Sequence, residues 1–409
     1  MSAEYELPIV QNVLSSITME KKLIQVIVGP RQVGKSTAAE QIGEKWKGEV
    51  LYASADAPIP PAHEWIHHHW EQARRKKTAG PLLILDEIQK VQGWSEAVKS
   101  LWDEDVRNGT ALSILLLGSS SLLIQKGLSE SLTGRFFLHR MGHWQFREMS
   151  EAFGITFEQW MYFGGYPGAV SFIENEEVWK SYIRDSLIET VLSKDVLQMQ
   201  TIAKPALLRH LFMLSTAYPA QILSYNKMLG QLLDAGNTTT LAHYVRILET
   251  AFLLSGLELF KIGERPKRGS SPKLVLWNNA LVSAVAAKTF PEALDSPDYW
   301  GRLVENAVGS ALLNGLRGLP YELLYWRNGN DEVDYIVHAP GAVWAIEVKS
   351  SRMRKASGLK RFLSLYPKAK PFIIGGTGLP LSEFFTTPKK ELFSPEKKFD
   401  KELPITHNT

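Results

Sequence analysis

Gly29-Pro30-Arg31-Gln32-Val33-Gly34-Lys35-Ser36-Thr37 has the spacing of a phosphate-binding loop, G-x-x-x-x-G-K-[ST]. The residue types state the chemistry. Glycines let backbone amides turn inward around a polyphosphate, and the helix that follows adds the positive end of its dipole. Lys35 is expected to reach the β- and γ-phosphates, and the Ser36 hydroxyl to hold Mg2+. Farther on, Pro81-Leu-Leu-Ile-Leu-Asp-Glu87 is an apolar run ending in two adjacent carboxylates. Asp86 fits the partner of Ser36 at the metal, and Glu87 the base that orients an attacking water. Taken alone the run also reads as a buried strand ending in exposed acids; behind a phosphate loop, the catalytic reading is preferred. ATP and Mg2+ are the expected cofactors, and ATP hydrolysis the expected reaction.

A second constellation lies far downstream. Glu305 falls on an amphipathic helix, Asp334 ends the polar turn of a hairpin, and Glu347-Val-Lys349 lies on an apolar strand. Period-two alternation aims Glu347 and Lys349 at one face of that strand. Two carboxylates can hold Mg2+, a third oxygen ligand can come from Glu305, and the lysine can position water for attack on a phosphodiester. This E…D…E-x-K order is restriction-endonuclease-like. It leaves two readings open, a cutting site or a fold kept for binding.

The elements that must position these groups divide the chain. Residues 1–150 alternate short apolar strands with helical stretches, which indicates an α/β layer with a mainly parallel sheet. The strands expected are Leu23–Val28, Glu49–Ser54, Leu82–Asp86, Leu112–Gly118 and Phe136–Met141, with the helix after the loop at Thr37–Trp46. Ser119, Ser120 and Ser121 follow the fourth strand, where a polar residue senses the γ-phosphate; a plain serine turn would look the same. Arg135 stands where an arginine finger could reach a neighbouring subunit's nucleotide. Its alternative is a surface salt bridge.

Residues 151–290 read as helical. Phe163-Gly-Gly-Tyr-Pro-Gly168 is a tight turn suited to a hinge or nucleotide lid. Helices are expected at Ala206–Thr216, Ser224–Leu233 and Thr239–Ala251, the third capped from Asn237. Strand Phe252–Leu259, a basic hairpin tip at 261–272 and strand Lys273–Trp277 complete the order of a winged helix. Thr240, His243, Tyr244 and Arg246 on the third helix, with Lys267 and Arg268 in the tip, are candidate DNA contacts. A winged helix making only protein contacts remains the alternative. Residues 291–378 hold the endonuclease-like domain, and 379–409 read as a basic, loosely ordered tail.

Composition narrows the class. The 409 residues are 44% hydrophobic and 22% charged, with a net charge of +3 and no cysteine. Disulfide scaffolds, thiolate zinc sites and cysteine nucleophiles are thereby excluded. No apolar stretch approaches the ~20 residues that cross a bilayer, and the N-terminus lacks a signal-peptide pattern. A cytoplasmic protein is expected. His67, His68 and His69 are consecutive on a helix, so they point in different directions and make a poor metal set. The basic segment 261–273 carries Lys261, Arg265, Lys267, Arg268 and Lys273 against Glu264 alone.

With Leu-Asp-Glu-Ile-Gln-Lys, Gly-Ser-Ser-Ser-Leu-Leu, Leu-Thr-Gly-Arg-Phe, Gly-Gly-Tyr-Pro, Tyr-Trp-Arg at 325–327, Glu-Val-Asp-Tyr and Ile-Glu-Val-Lys-Ser-Ser, the chain resembles a known group. These motifs are similar to those of bacterial and archaeal AAA-type ATPases that end in a domain of unknown function. The resemblance spans residues 20–375. It implies an AAA-type core, a winged-helix middle and a nuclease-like end, with Lys35, Asp86 and Glu87 carrying hydrolysis. The resemblance does not settle a cellular role; the function expected is an ATPase that remodels duplex, forked or branched DNA as a homo-oligomer, a hexameric ring. An ATP-regulated nuclease and a nucleotide-dependent protein-binding switch are the alternatives.

Overall fold

The computed structural model describes residues 5–19, 22–76, 80–118, 127–128, 130–196, 202–233, 236–261, 270–349 and 357–394. The chain divides into two compact units, one reaching His143 and one beginning at Trp144.

The first unit is built on five short strands: β1 (Ile24–Val28), β2 (Val50–Ser54), β3 (Leu82–Asp86), β4 (Ser113–Gly118) and β5 (Phe136–Arg140). They pair in parallel in the order β2-β3-β4-β1-β5. Helices α1 (Pro8–Ile17), α2 (Lys35–Lys45), α3 (Glu64–Arg74) and α4 (Trp94–Asn108) flank them. Every residue of β1 and β3 is buried, as parallel strands covered on both faces require. Alternation divides the load: Ile24, Val26, Val28, Leu83, Leu85, Ile114 and Leu116 share one core with Trp70 and Trp102. Asp105, buried on α4, accepts from the Trp70 indole at 2.7 Å and Arg74 Nε at 2.8 Å, which fastens α3 to α4. The strand bounds agree with the sequence reading to within one residue. Strand β4 lies between β1 and β3, so the loop after β1 and the acids after β3 flank one strand end.

In the second unit, α5 (Phe146–Phe153) and α6 (Phe157–Phe163) lead into two π-helical stretches, Tyr182–Ile188 and Val191–Asp195. The Gly-Gly-Tyr-Pro segment is a tight turn, closely packed. Gly165 packs so closely on Trp144 that a Cβ would lie 1.9 Å from its carbonyl oxygen, and its amide donates to Asn278 Oδ1 at 3.1 Å. Next come α7 (Pro205–Thr216), β6 (Gln221–Ile222), α8 (Tyr225–Leu229), α9 (Thr238–Thr250), β7 (Leu254–Leu257) and β8 (Lys273–Leu276). The strands form an antiparallel sheet, β6-β8-β7. Asn237 caps α9 by accepting from the Thr240 amide at 2.8 Å. The helix expected over Ser224–Leu233 is only one turn and a half, Tyr225–Leu229, ending before Gly230.

Helix α10 (Pro297–Leu316) precedes a four-stranded sheet of β9 (Glu322–Asn328), β10 (Asp331–Ala339), β11 (Ala342–Lys349) and β12 (Lys370–Gly375), ordered β12-β11-β10-β9. The first three are antiparallel and β12 is parallel to β11, α11 (Ser357–Leu365) making the crossover. The two sheets are knit together. Phe260, just past β7, donates its amide to Tyr325 on β9 at 2.7 Å and joins the core of Trp326 and Phe362. Asn306 of α10 mimics a strand edge, accepting from the Leu276 amide at 2.9 Å and donating to its carbonyl at 3.1 Å.

Of the tail expected to be loose, residues 379–394 are packed, with Phe384, Phe385 and Phe393 buried and the Tyr321 hydroxyl donating to the Phe393 carbonyl at 2.9 Å, while 395–409 lie outside the described residues. Aromatic burial outweighs the Pro/Lys-rich composition there. No helix among the described residues is long and apolar enough to cross a membrane.

Candidate functional site

The loop between β1 and α2 is held by its glycines. Gly34 is left-handed at φ 90° and opens α2; Gln32 also has positive φ, 57°. Gly29 passes Met141 so closely that a Cβ would sit 2.3 Å from its carbonyl oxygen. Between them Pro30 and Val33 are buried, Arg31 and Thr37 are half-buried, and Ser36 is exposed at the first turn of α2. Lys35 is buried, and Nζ donates to the carbonyls of Gly29 at 3.2 Å and Pro30 at 2.7 Å.

Strand β3 delivers the partner. Asp86 Oδ2 accepts from Ser36 Oγ at 2.9 Å, across fifty residues of sequence, and its Oδ1 accepts from the Glu87 amide at 2.8 Å. A third donor has no signal in the sequence: the Tyr52 hydroxyl, from the middle of β2, reaches Asp86 Oδ2 at 2.6 Å. Burial, then the Asp86 hydrogen bond and charge, push that phenol well above its ordinary value, so it remains a donor. Glu87 adopts a left-handed backbone, φ 52°, and its carboxylate accepts from Gln89 Nε2. Ser119, with its neighbours 120 and 121, lies outside the described residues. Arg135 makes a bidentate pair with Asp103 at 2.7 and 3.0 Å.

The candidate DNA contacts separate by exposure. His243 and Arg246 are exposed on α9 and Thr240 is half-buried. Tyr244 is a correction: it is buried, and its hydroxyl accepts from the Lys204 amide at 3.1 Å, so it faces the core. Helical period explains this, since Leu241, Tyr244, Val245 and Leu248 form the inward stripe. Lys267 and Arg268 lie outside the described residues. Lys273, counted with the basic tip in sequence, has no exposed side-chain surface at all.

The four residues of the second constellation fall close together. Glu305 comes from α10, Asp334 from β10, Glu347 and Lys349 from β11. Lys349 Nζ donates to Glu347 Oε1 at 2.6 Å, as alternation requires, and Asp334 Oδ2 accepts from the Val348 amide at 2.7 Å. Burial, then the charge of Asp334, push Glu347 up to about 7. The grouping differs in one respect from the expected one. The carboxylates with oxygens within 4.8 Å of one another are Glu305, Glu332 and Asp334, with Glu332 in place of Glu347. A bulge in β10 between Val333 and Ile336 re-aims this stretch, and Tyr335 donates its hydroxyl to the Glu305 carbonyl at 2.7 Å.

The comparisons with known proteins fit the first of these sites. Residues 21–150 match the model of an AAA domain. The first unit carries an AAA P-loop ATPase domain. Two further matches, 155–292 and 300–382, are to domains of unknown function, DUF8612 and DUF4143. An uncharacterized protein of Mycobacterium tuberculosis is 26% identical over 390 residues, covering 89% of this chain and 81% of its own. One from Haemophilus influenzae is 21% identical over 377 residues, 86% and 89% respectively. Among solved structures, a Walker-type ATPase of Pyrococcus abyssi aligns with a TM-score of 0.42 at 12% identity over 68% of this chain and 94% of that one. The Thermotoga maritima RuvB Holliday junction branch migration motor gives 0.34 at 15% identity, over 60% and 87%.

Sequence reasoning missed Tyr52, Asp103, Glu332 and Lys273. The signal for the last was present: a lysine opening the run Lys-Leu-Val-Leu, every residue of which is buried, demands an acid opposite it.

Proposed function

We propose that the protein is a Mg2+-dependent ATPase that couples ATP hydrolysis in its AAA domain to the engagement and remodelling of duplex, forked or branched DNA, as a ring oligomer. The observation that carries the ATPase reading is the meeting of Ser36 Oγ and Asp86 Oδ2 at 2.9 Å beside the N-terminus of α2. A hydroxyl and one carboxylate oxygen suit a hard cation that keeps water and phosphate for its other positions. Bound there, Mg2+ would neutralise charge on the β- and γ-phosphates. The chain's own residues do the rest. Loop amides and the α2 dipole orient the phosphates, Lys35 exchanges its loop carbonyls for phosphate oxygens, and Glu87 takes the water proton after releasing Gln89.

The finger role of Arg135 belongs to the ring reading and requires its Asp103 pair to open. For DNA, support comes from the exposed His243 and Arg246 on a capped helix followed by an antiparallel strand pair, the element order of a winged helix.

The test is steady-state ATP hydrolysis with single-stranded, duplex, forked and four-way-junction DNA, Lys35→Ala serving as blank. Stimulation by one DNA form is expected, weakened by Arg246→Ala. A rate indifferent to every form would replace DNA by a protein partner as the object of the cycle.

A further inference from the structure

The acidic cluster between α10 and β10 has the oxygen spacing of a cation site, and a cation of the chain's own lies in it. Lys273, from the middle strand of the β6-β8-β7 sheet, sends Nζ to Glu305 Oε1 at 2.7 Å and Glu332 Oε1 at 3.3 Å, with Asp334 Oδ1 at 3.8 Å. Its side chain is fully buried, and the Tyr335 ring centroid lies 4.8 Å from Nζ. We propose that the Lys273 ammonium takes the place of the divalent metal in this endonuclease-like site, so that the C-terminal domain of the wild-type protein neither binds Mg2+ there nor cuts DNA.

The physical reasons are geometric and electrostatic. Mg2+ requires six oxygens at about 2.1 Å in near-octahedral order. The ammonium stands in direct contact with Glu305 and within reach of the other two acids, where such an ion would have to sit. Two of the ammonium's three donors meet the carboxylates of Glu305 and Glu332, with the Asp334 charge close by, which is how a buried lysine stays charged. Burial alone would lower its affinity for the proton; the charges of Glu305 and Asp334 more than reverse this and hold it above its ordinary value. The remaining groups are also paired. Lys349, the residue that would position water, donates to Glu347, and Arg302 lies 3.5 Å from Glu305 Oε2.

Lys273 therefore does a structural cation's work. It ties β8 to α10 and β10 at the same junction where Asn306 clasps Leu276. The mechanism leaves the ATPase reading untouched, because no residue of the loop or of β3 takes part.

Mn2+ binding to the nucleotide-free chain, measured by calorimetry and by the shift in Tm, tests this. The wild type is expected to show no Mn2+ site that Asp334→Asn removes, and no cleavage of any DNA form with Mg2+ or Mn2+. Lys273→Ala is expected to gain Mn2+ affinity by at least about tenfold, with a Tm raised by the metal, and to lose both when Asp334→Asn is added. Wild-type Mn2+ binding abolished by Asp334→Asn overturns the proposal, as does a folded Lys273→Ala that gains no metal. Should Lys273→Ala not fold, the comparison of wild type with Asp334→Asn decides alone.

Discussion

The chain gathers carboxylates in two places, at the end of β3 and between α10 and β10, and finishes them in opposite ways. At the first, Asp86 accepts from two hydroxyls and an amide, groups that position an oxygen without neutralising it. At the second, Glu305 and its neighbours surround an ammonium. Asp86 and Glu87 follow one recognised spacing and Glu305 and Asp334 another, which Glu332 does not share. What separates them is a residue no spacing rule includes, because Lys273 enters from another sheet. A pattern of acids fixes where positive charge goes; the surrounding fold determines whether it arrives from solution or from the chain.

The largest effect that would break this comparison is on stability. Lys273→Met leaves Glu305 and Asp334 without their counter-cation and should cost about 3–5 kcal/mol in urea unfolding. Adding Glu305→Gln should restore part of it. An unchanged midpoint would make the ammonium incidental. Next comes chemistry at the other site: Lys35→Ala should lower kcat for ATP about 10²–10³-fold, while Asp334→Asn leaves it within about twofold. Equal losses would mean that the two sites are one machine.

Acid and base should act on the two units with opposite sign. His139 on β5, beside Gln25 Oε1 at 2.8 Å, is held down to about 4 by burial. The unfolded chain binds that proton near pH 6.5, so stability present above 6.5 is lost as the pH falls towards 4, by about 2–3 kcal/mol. Glu347 is shifted the other way, up to about 7. Its contribution is complete below about pH 4.3 and is lost as the pH rises through 7, by about 2 kcal/mol. Segment-resolved hydrogen exchange between pH 4 and 8, corrected for intrinsic rates, should show β1 and β11 drifting in opposite directions. The smallest effect belongs to Tyr52→Phe. Asp86 keeps its other two donors, so a loss of about 1 kcal/mol, read as a few-fold change in ATP hydrolysis, is expected.

The AAA domain was the more legible half. A P-loop and its acid strand are local strings whose chemistry is carried by adjacent residues, and five apolar runs marked the sheet to within a residue. Across the chain, legibility failed where meaning depended on a partner distant in sequence. Tyr52 is an exposed strand residue until β3 brings Asp86 to it. Tyr244 and Lys273 carried the right chemistry for DNA but face inward, which only the helical stripe of α9 and the pairing of β8 decide. The stretch 379–394 misled for a related reason: three phenylalanines in a Pro/Lys-rich segment are enough to dock it.

Lys35 resting on the carbonyls of Gly29 and Pro30 has a consequence for timing. The loop's form is set by its own backbone, with Gly34 at φ 90°, Gln32 at φ 57° and Lys35 tied to two carbonyls. Little conformational entropy would be lost when a polyphosphate binds a loop so held, and affinity would then be tuned in release more than in capture.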